Sequence, residues 1–318
     1  MIDAKNEPVA HPVDNLVFMG TPEFAVASLD ALVKAGYNIA AVITAPDKPA
    51  GRGMKMTESA VKKYAVEKGL HILQPEKLKN ALFIEELKAL KADIQVVVAF
   101  RMLPEIVWNM PPMGTINLHG SLLPAYRGAA PINWAVINGE KQTGVTTFKL
   151  QHEIDTGNIL LQESFTIGDD ETAGSVHDRM KEIGAALLVK TIDGLAAGSL
   201  TEKPQVLVTG AESPHAPKIF TETCKIDWNK PVAEVYNLIR GLSPFPCAFT
   251  FLKDKMLKIY NAEKETTTPT ISQGQYATDN KTYLKFAATG GYIHLKEIQL
   301  EGKKKMMIDE FLRGYRFS

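Results

Sequence analysis

The chain has 318 residues, of which 45% are hydrophobic and 23% charged, and its formal net charge is zero. This composition is typical of a water-soluble globular protein, and the length exceeds that of one ordinary domain, so two domains are expected. Because the sequence shows neither a basic leader nor an apolar stretch of about 18 residues, we expect a cytoplasmic protein with no membrane partner. The two cysteines, Cys224 and Cys247, are far apart and form no Cys-x-x-Cys motif, which argues against a disulfide framework and a zinc site.

The first predicted elements alternate between strand and helix. Leu16–Gly20 is an apolar run closed by glycine, which predicts a buried strand. Thr21 is expected as the N-cap of a helix with Pro22 at its first position, and the helix should end near Ala35. A second strand follows over residues 39–45, an order typical of an α/β, Rossmann-like, doubly wound, mostly parallel sheet. The strand-to-helix turn lacks Gly-x-Gly-x-x-Gly, so no nicotinamide cofactor is expected.

A basic stretch follows the second strand. Residues 46–55 contain two prolines and two glycines together with Lys48, Arg52 and Lys55. This composition predicts an exposed loop that is neither helix nor strand. A flexible connection is the simplest interpretation, but loops of this length in a compact domain are often functional.

The middle of the chain continues the alternation. Helical spacing of apolar residues predicts helices over residues 58–68, 81–90, 129–138 and 172–195. Strands are predicted over residues 93–100, 144–150 and 158–167, and the first of them ends in a β-branched run typical of a central parallel strand. Its carboxyl end should lie beside that of the strand containing Asn117, so the turn at residues 100–104 should border the crevice of the sheet.

The last third of the chain has a different composition. Residues 198–217 are rich in Gly, Ser, Thr and Pro and predict a linker. Two hairpins, 247–252 with 257–260 and 283–286 with 292–295, and one helix near 232–240 then predict a smaller, β-rich, OB-like barrel domain. We therefore predict domains at residues 1–200 and 220–318, joined by 201–219. After residue 206 basic residues outnumber acidic ones, which favours an anionic partner.

Three polar side chains form the candidate site. Asn117 and His119 are two residues apart, so on an extended backbone they point to the same face, and Asp155 lies in a glycine-bounded loop after the 144–150 strand. An amide, an imidazole and a carboxylate can stabilise an oxyanion and transfer protons. A polar pair without catalytic function is the alternative that these residues leave open. Ser121 lacks a Gly-x-Ser-x-Gly elbow, which argues against a serine nucleophile.

The sequence Asn-Leu-His-Gly-Ser-Leu-Leu-Pro at residues 117–124, followed by Asp-Thr-Gly at 155–157, resembles the signature of the folate-dependent formyltransferases. Residues 20–25 and 46–53 extend the resemblance through nearly the whole chain. It implies 10-formyltetrahydrofolate as formyl donor, no metal, Asn117 and His119 as oxyanion donors, and Asp155 holding His119 oriented and charged. The implied donor site consists of the wall Ser121, Leu122, Leu123 and Pro124 and of the turn Phe100, Arg101, Met102 and Leu103. In this turn the chain lacks the Tyr-Gly that is expected of the family members that act on tRNA.

The resemblance also implies the acceptor. The 46–53 loop and the C-terminal domain are similar to those of family members whose acceptor is methionyl initiator tRNA, and a monomer is expected. The implied tRNA-binding residues are Lys48, Arg52, Lys55, Lys303, Lys304 and Lys305, although the last three also fit a solvated turn. Hydrolysis of the formyl donor, formylation of a small-molecule amine and RNA binding without catalysis are the alternatives.

Overall fold

Apolar runs in the first half of the chain form the central strands of a seven-stranded sheet in the computed structural model, which describes residues 13–50, 54–206 and 213–317. The strands are β1 (Leu16–Gly20), β2 (Ile39–Ile43), β3 (Lys48–Ala50), β4 (Lys55–Thr57), β5 (Ile72–Leu73), β6 (Ile94–Val98), β7 (Thr115–His119), β8 (Arg127–Gly128), β9 (Gln142–Lys149), β10 (Ile159–Thr166), β11 (His215–Ala216), β12 (Ala248–Leu252), β13 (Lys255–Thr266), β14 (Tyr276–Thr278), β15 (Leu284–Ala288), β16 (Gly291–Leu300) and β17 (Met306–Met307). The helices are α1 (Glu23–Lys34), α2 (Ala60–Glu67), α3 (Ala81–Ala89), α4 (Glu105–Trp108), α5 (Pro131–Ile137), α6 (Ala173–Ala196), α7 (Thr221–Cys224), α8 (Val232–Leu242) and α9 (Ile308–Gly314).

The large sheet has the strand order β10-β9-β7-β6-β1-β2-β5. Its strands from β7 to β5 are parallel, whereas β9 is antiparallel to β7. Every residue of β1 and β6 is buried, as expected for central strands with both faces covered. The predicted doubly wound, mostly parallel sheet is confirmed. The prediction that β6 and β7 are neighbours is confirmed as well, since Val98 pairs with Leu118.

The turn from β1 into α1 depends on a glycine. A Cβ on Gly20 would lie 2.7 Å from the Cβ of Ala25 and 3.1 Å from the carbonyl oxygen of Val98, so only glycine lets the chain pass this close to its neighbours. The N-cap of α1 is Pro22 and has no side-chain capping bond. The expectation that Thr21 caps the helix was wrong, because the helix begins one residue later than the sequence pattern indicated.

A second sheet, formed by the last third of the chain, is antiparallel. Its order is β12-β13-β16-β15-β14, with β17 paired to β16, and both predicted hairpins are confirmed by the pairs of β12 with β13 and of β15 with β16. The Trp228 ring stacks on Phe286 at 4.9 Å within a core that also includes one face of α8. Among the described residues the order does not close into a ring, so the predicted OB-like barrel is an open, partial one.

The described residues divide into two compact units. The first contains those of Met1–Pro124, Gly144–Glu163 and Arg179–Ala211, and the second contains those of Ala125–Thr143, Ser164–Asp178 and Glu212–Ser318. The chain therefore passes between the units more than once, which a sequence-based division into consecutive ranges does not describe. The domain boundaries at residues 200 and 220 stay a prediction.

Two segments that were expected to be irregular contain paired strands or bridges. The basic stretch contributes two short strands, β3 and β4, which pair antiparallel, with Lys48 opposite Thr57 and Pro49 opposite Met56. The prediction that this stretch contains no strand was wrong for the residues of β3 and β4, because a two-stranded ribbon has free edges on which proline is tolerated. Arg52 lies outside the described residues. In the predicted linker, β11 pairs with β8, and Lys203 pairs with Ile159.

Both cysteines are free and buried, with no disulfide between them. Burial raises the pKa of the Cys247 thiol to about 12 and raises that of Cys224 as well. Since the thiolate is the reactive species, we expect both to react slowly with Ellman's reagent in the native protein and completely in guanidinium chloride. A native thiol that reacts as fast as free cysteine would contradict this burial.

Among the described residues, no helix combines the length and the apolar character that a membrane span requires.

Candidate active site

Asn117 and His119 lie on β7, next to the centre of the large sheet. In the antiparallel register with β9, Asn117 is opposite Phe148 and His119 is opposite Thr146. Both side chains therefore project from one face of the strand, as the spacing predicted. His119 is only 7% exposed, and its ring makes an edge contact with Phe148 at 6.5 Å. This burial fixes the imidazole and lowers the local dielectric, which strengthens electrostatic interactions there.

Asp155 lies in the loop between β9 and β10 and approaches His119. Its Oδ2 is 3.9 Å from Nδ1 of His119, and the two side chains are 14% and 8% exposed. This distance is within the range of an ion pair but longer than a direct hydrogen bond. The structure thus brings the two predicted residues together.

The loop that carries Asp155 has a constrained backbone. Asp155 has φ 55°, in the left-handed region that non-glycine residues seldom occupy. Its carbonyl and that of Gly157 both accept hydrogen bonds from the side-chain amide of Gln205. Sequence reasoning missed Gln205, since nothing in a Pro-Gln-Val stretch indicates a contact with a loop 48 residues earlier.

The buried hydroxyl of Thr146 holds the segment Ser121–Pro124 through hydrogen bonds. Thr146 Oγ1 donates to the carbonyl of Ser121 at 2.7 Å and accepts from the N–H of Leu123 at 3.1 Å and from Nε2 of Gln162 at 2.9 Å. A hydroxyl has one proton and two lone pairs, so Thr146 is fully used. The Leu123-Pro124 bond is cis. The role of Thr146 was also missed from the sequence, because threonine is common in strands for its β propensity alone.

Thr146→Val should raise the KM for the formyl donor about tenfold if the Ser121–Pro124 wall binds it, because the wall loses two of its anchoring hydrogen bonds. Thr147→Val is the matched control: that hydroxyl is also buried but bonds Thr191 at 2.8 Å, away from the wall. Both substitutions should lower the free energy of unfolding by about 1–3 kcal/mol. Donor titrations and thermal unfolding measure these effects, and equal KM values in the two variants would contradict the role of Thr146.

The turn after β6 is anchored by Arg101. Its guanidinium donates to the carbonyls of Glu76, at 2.8 Å, and Pro75, and lies 5.5 Å over the Phe100 ring. Burial lowers the pKa of Arg101. Met102, in contrast, is 73% exposed. The contacts of Arg101 give it a structural role in shaping the turn, whereas the side chain of Met102 lies at the surface.

The predicted basic residues have different surroundings. Lys48 is exposed on β3, and Lys55 lies on β4. Lys304 pairs with Glu310 at 3.1 Å and Lys305 with Glu297 at 3.0 Å, while Lys303 lies exposed in a turn. Ion pairs of this kind at the surface contribute about 0–1 kcal/mol. His152 is exposed at 3.5 Å from Glu105, consistent with a surface residue.

The profile of a known family, described as "Formyl transferase", matches residues 14–192, which include all of β1 to β10 and most of α6. The chain belongs to the formyl transferase family. The predicted family is thus confirmed, and the profile of the formyl transferase C-terminal domain matches residues 218–316.

Relatives of known name extend this match over nearly the whole chain. A methionyl-tRNA formyltransferase from Parabacteroides distasonis is 54% identical over 95% of both chains, and one from Bacteroides fragilis is 51% identical over the same share. Among solved structures, an N-formyltransferase from Helicobacter canadensis in complex with folinic acid and dTDP-3-aminofucose has a TM-score of 0.67 and 22% identity, covering 88% of this chain and 98% of its own. That formyl transferase shares the fold.

Proposed function

We propose that this formyl transferase transfers the formyl group of 10-formyltetrahydrofolate to the α-amino group of methionyl initiator tRNA, acting as a cytoplasmic monomer. The observation that carries the proposal is the 54% identity to a methionyl-tRNA formyltransferase over 95% of both chains. The site geometry supports it, because Asn117, His119 and Asp155 together provide the groups that acyl transfer to an amine requires.

The reaction develops negative charge on the formyl oxygen while the amine attacks the formyl carbon. Asn117 donates its side-chain N–H to this oxygen, and His119 acts as a second donor from a buried position. Asp155 keeps His119 oriented through the 3.9 Å contact and accepts the proton that the amine loses, through a water molecule. As the carbon–nitrogen bond breaks, Asp155 returns this proton through the same water molecule to the departing nitrogen of the folate. The step is therefore balanced without a metal or a covalent enzyme intermediate.

The groups around the site fit the formyl donor. A folate has a flat, polar pterin ring, which binds in clefts lined by apolar side chains and a few backbone polar groups. The Ser121–Pro124 wall, in which Ser121 and Leu123 are buried, and the Phe100–Leu103 turn would provide such a lining at the carboxyl ends of β7 and β6. The Helicobacter canadensis relative was solved with folinic acid, a formyl folate, which supports a folate site in this fold.

For the tRNA, we propose two basic contacts. The paired strands β3 and β4 offer Lys48 and Lys55, with Arg52 between them in the sequence, and the second unit offers Lys303, Lys304 and Lys305. Phosphate contacts by lysine and arginine make binding salt-dependent, whereas arginine can also read base edges. Charge removal at these positions should therefore weaken tRNA binding and reduce its dependence on salt.

The test measures transfer of radiolabelled formyl from 10-formyltetrahydrofolate to methionyl initiator tRNA. Elongator methionyl-tRNA, a dTDP-linked amino sugar and a reaction without acceptor are the controls, and light scattering gives the oligomeric state. Label on the initiator tRNA alone is the expected result. Formate release without labelled tRNA would instead indicate a hydrolase, and labelled sugar would indicate a small-molecule formyltransferase.

A further inference from the structure

The residues that follow α6 run alongside the beginning of β10. Ile159 and Lys203 exchange two backbone hydrogen bonds, of 2.8 and 2.9 Å, and Glu202 accepts from Lys149 at 3.1 Å and from Asn158 at 3.0 Å. This short stretch lies between the two family matches, which end at residue 192 and begin at residue 218. Through the hydrogen bonds of Lys203, the stretch is attached to β10, the strand that follows the active-site loop.

Gln205 extends this attachment into the loop itself. Its Nε2 donates to the carbonyl of Asp155 and to that of Gly157, each at 2.8 Å. A primary amide has two protons on one nitrogen, so a single side chain can hold two carbonyls that lie two residues apart. The two bonds bridge the turn around Thr156 and fix the orientation of the peptide groups on both sides of it.

The loop needs such a restraint. Asp155 has φ 55°, in the left-handed region, where a residue other than glycine is strained and persists only if its surroundings impose the conformation. Nearby, Asp155 Oδ2 lies 3.9 Å from His119. The backbone that Gln205 holds is thus the backbone that aims the carboxylate at the imidazole.

We infer that Gln205 is a positioning residue for catalysis, which acts by holding Asp155 in the conformation that orients His119. This inference rests on the proposed function, since it assigns Asp155 its catalytic role. Glutamine is the side chain that the geometry requires. A glutamate would direct a carboxylate at two carbonyl oxygens, a leucine would leave both carbonyls unpaired, and an asparagine is one methylene too short to reach both.

The test compares Gln205→Leu and Gln205→Glu with Glu202→Gln, a control in the same stretch whose contacts are with Lys149 and Asn158. We expect single-turnover formyl transfer to fall about 10–100-fold in both Gln205 variants, because small misplacements of a catalytic group have effects of this size. The KM values for donor and tRNA should change less than about twofold, and Glu202→Gln should stay within about threefold of wild type.

A double-mutant cycle separates positioning from general stability. In an Asp155→Ala background, Gln205→Leu should cause no further loss of rate, because the group it positions is already absent. Hydrogen exchange should show faster exchange at residues 154–157 in Gln205→Leu but not in Glu202→Gln, and this readout does not depend on activity.

If the rate losses of Gln205→Leu and Asp155→Ala multiply in the double mutant, the inference is overturned and the proposed function stays intact. The same holds if Gln205→Leu alone keeps the wild-type rate. An Asp155→Ala enzyme with full activity would remove the catalytic role of Asp155 and the inference with it, but would leave formyl transfer to tRNA standing. A wild-type protein that formylates no tRNA would remove the proposed function itself. Unchanged exchange at residues 154–157 in Gln205→Leu would overturn the inference independently.

Discussion

His119→Ala should lower the rate of formyl transfer by about 10²–10³-fold, with little change in the affinity for either substrate. The substitution removes the buried imidazole that we propose as a hydrogen-bond donor to the developing oxyanion, and the loss of one such donor has an effect of this size. Because the interaction forms in the transition state and not in the ground state, kcat should fall while KM stays nearly constant. Single-turnover transfer to methionyl initiator tRNA measures the rate, and fluorescence titration measures tRNA binding.

His152→Ala is the matched control. His152 belongs to the same unit, is separated from Asp155 by only two residues, and is 82% exposed at its side chain. It should keep the wild-type rate. Thermal unfolding of both variants shows whether the fold is retained, and a folded His119→Ala enzyme with more than a tenth of the wild-type rate would contradict the assignment.

Local patterns predicted the elements that surround the site. The β-branched run at Ile94–Val98 indicated a strand buried on both faces, and every residue of β6 is buried. The two-residue spacing of Asn117 and His119 placed both on one face because side chains alternate along a strand. These predictions succeeded because each depends on the periodicity of neighbouring residues. The apolar run of β6, for example, fits only a strand that is buried on both faces.

Contacts between distant residues were not predictable in this way. Thr146 holds the Ser121 carbonyl across 25 positions, and Gln205 holds the Asp155 carbonyl across 50. Threonine and glutamine make such bonds only where the fold brings a backbone group within reach, so their sequence surroundings carry no signal. The pairing of β3 with β4 was missed for a related reason: Pro49 argues against a strand in general but not against one in an isolated ribbon.

Gly157→Ala should lower the rate of formyl transfer by about 10²-fold or more, because this position has no room for a side chain. A Cβ there would lie 1.7 Å from the carbonyl oxygen of Lys149. That carbonyl belongs to β9, where Lys149 pairs with Ile116 of β7, so it cannot move without disturbing the strand that carries Asn117 and His119. The loop must move instead, and Asp155 with it.

The expected signature of Gly157→Ala is therefore a fall in kcat accompanied by a loss of about 1–3 kcal/mol in the free energy of unfolding, the usual cost of overpacking. Gly168→Ala is the control, since its Cβ would meet only the flexible side chain of Glu171, at 3.3 Å, on an exposed loop. Unfolding in urea and single-turnover transfer measure the two effects. Because the collision displaces the carboxylate and not the substrates, a Gly157→Ala enzyme with an increased KM and an unchanged kcat would show that the 155–157 turn binds substrate and does not orient His119.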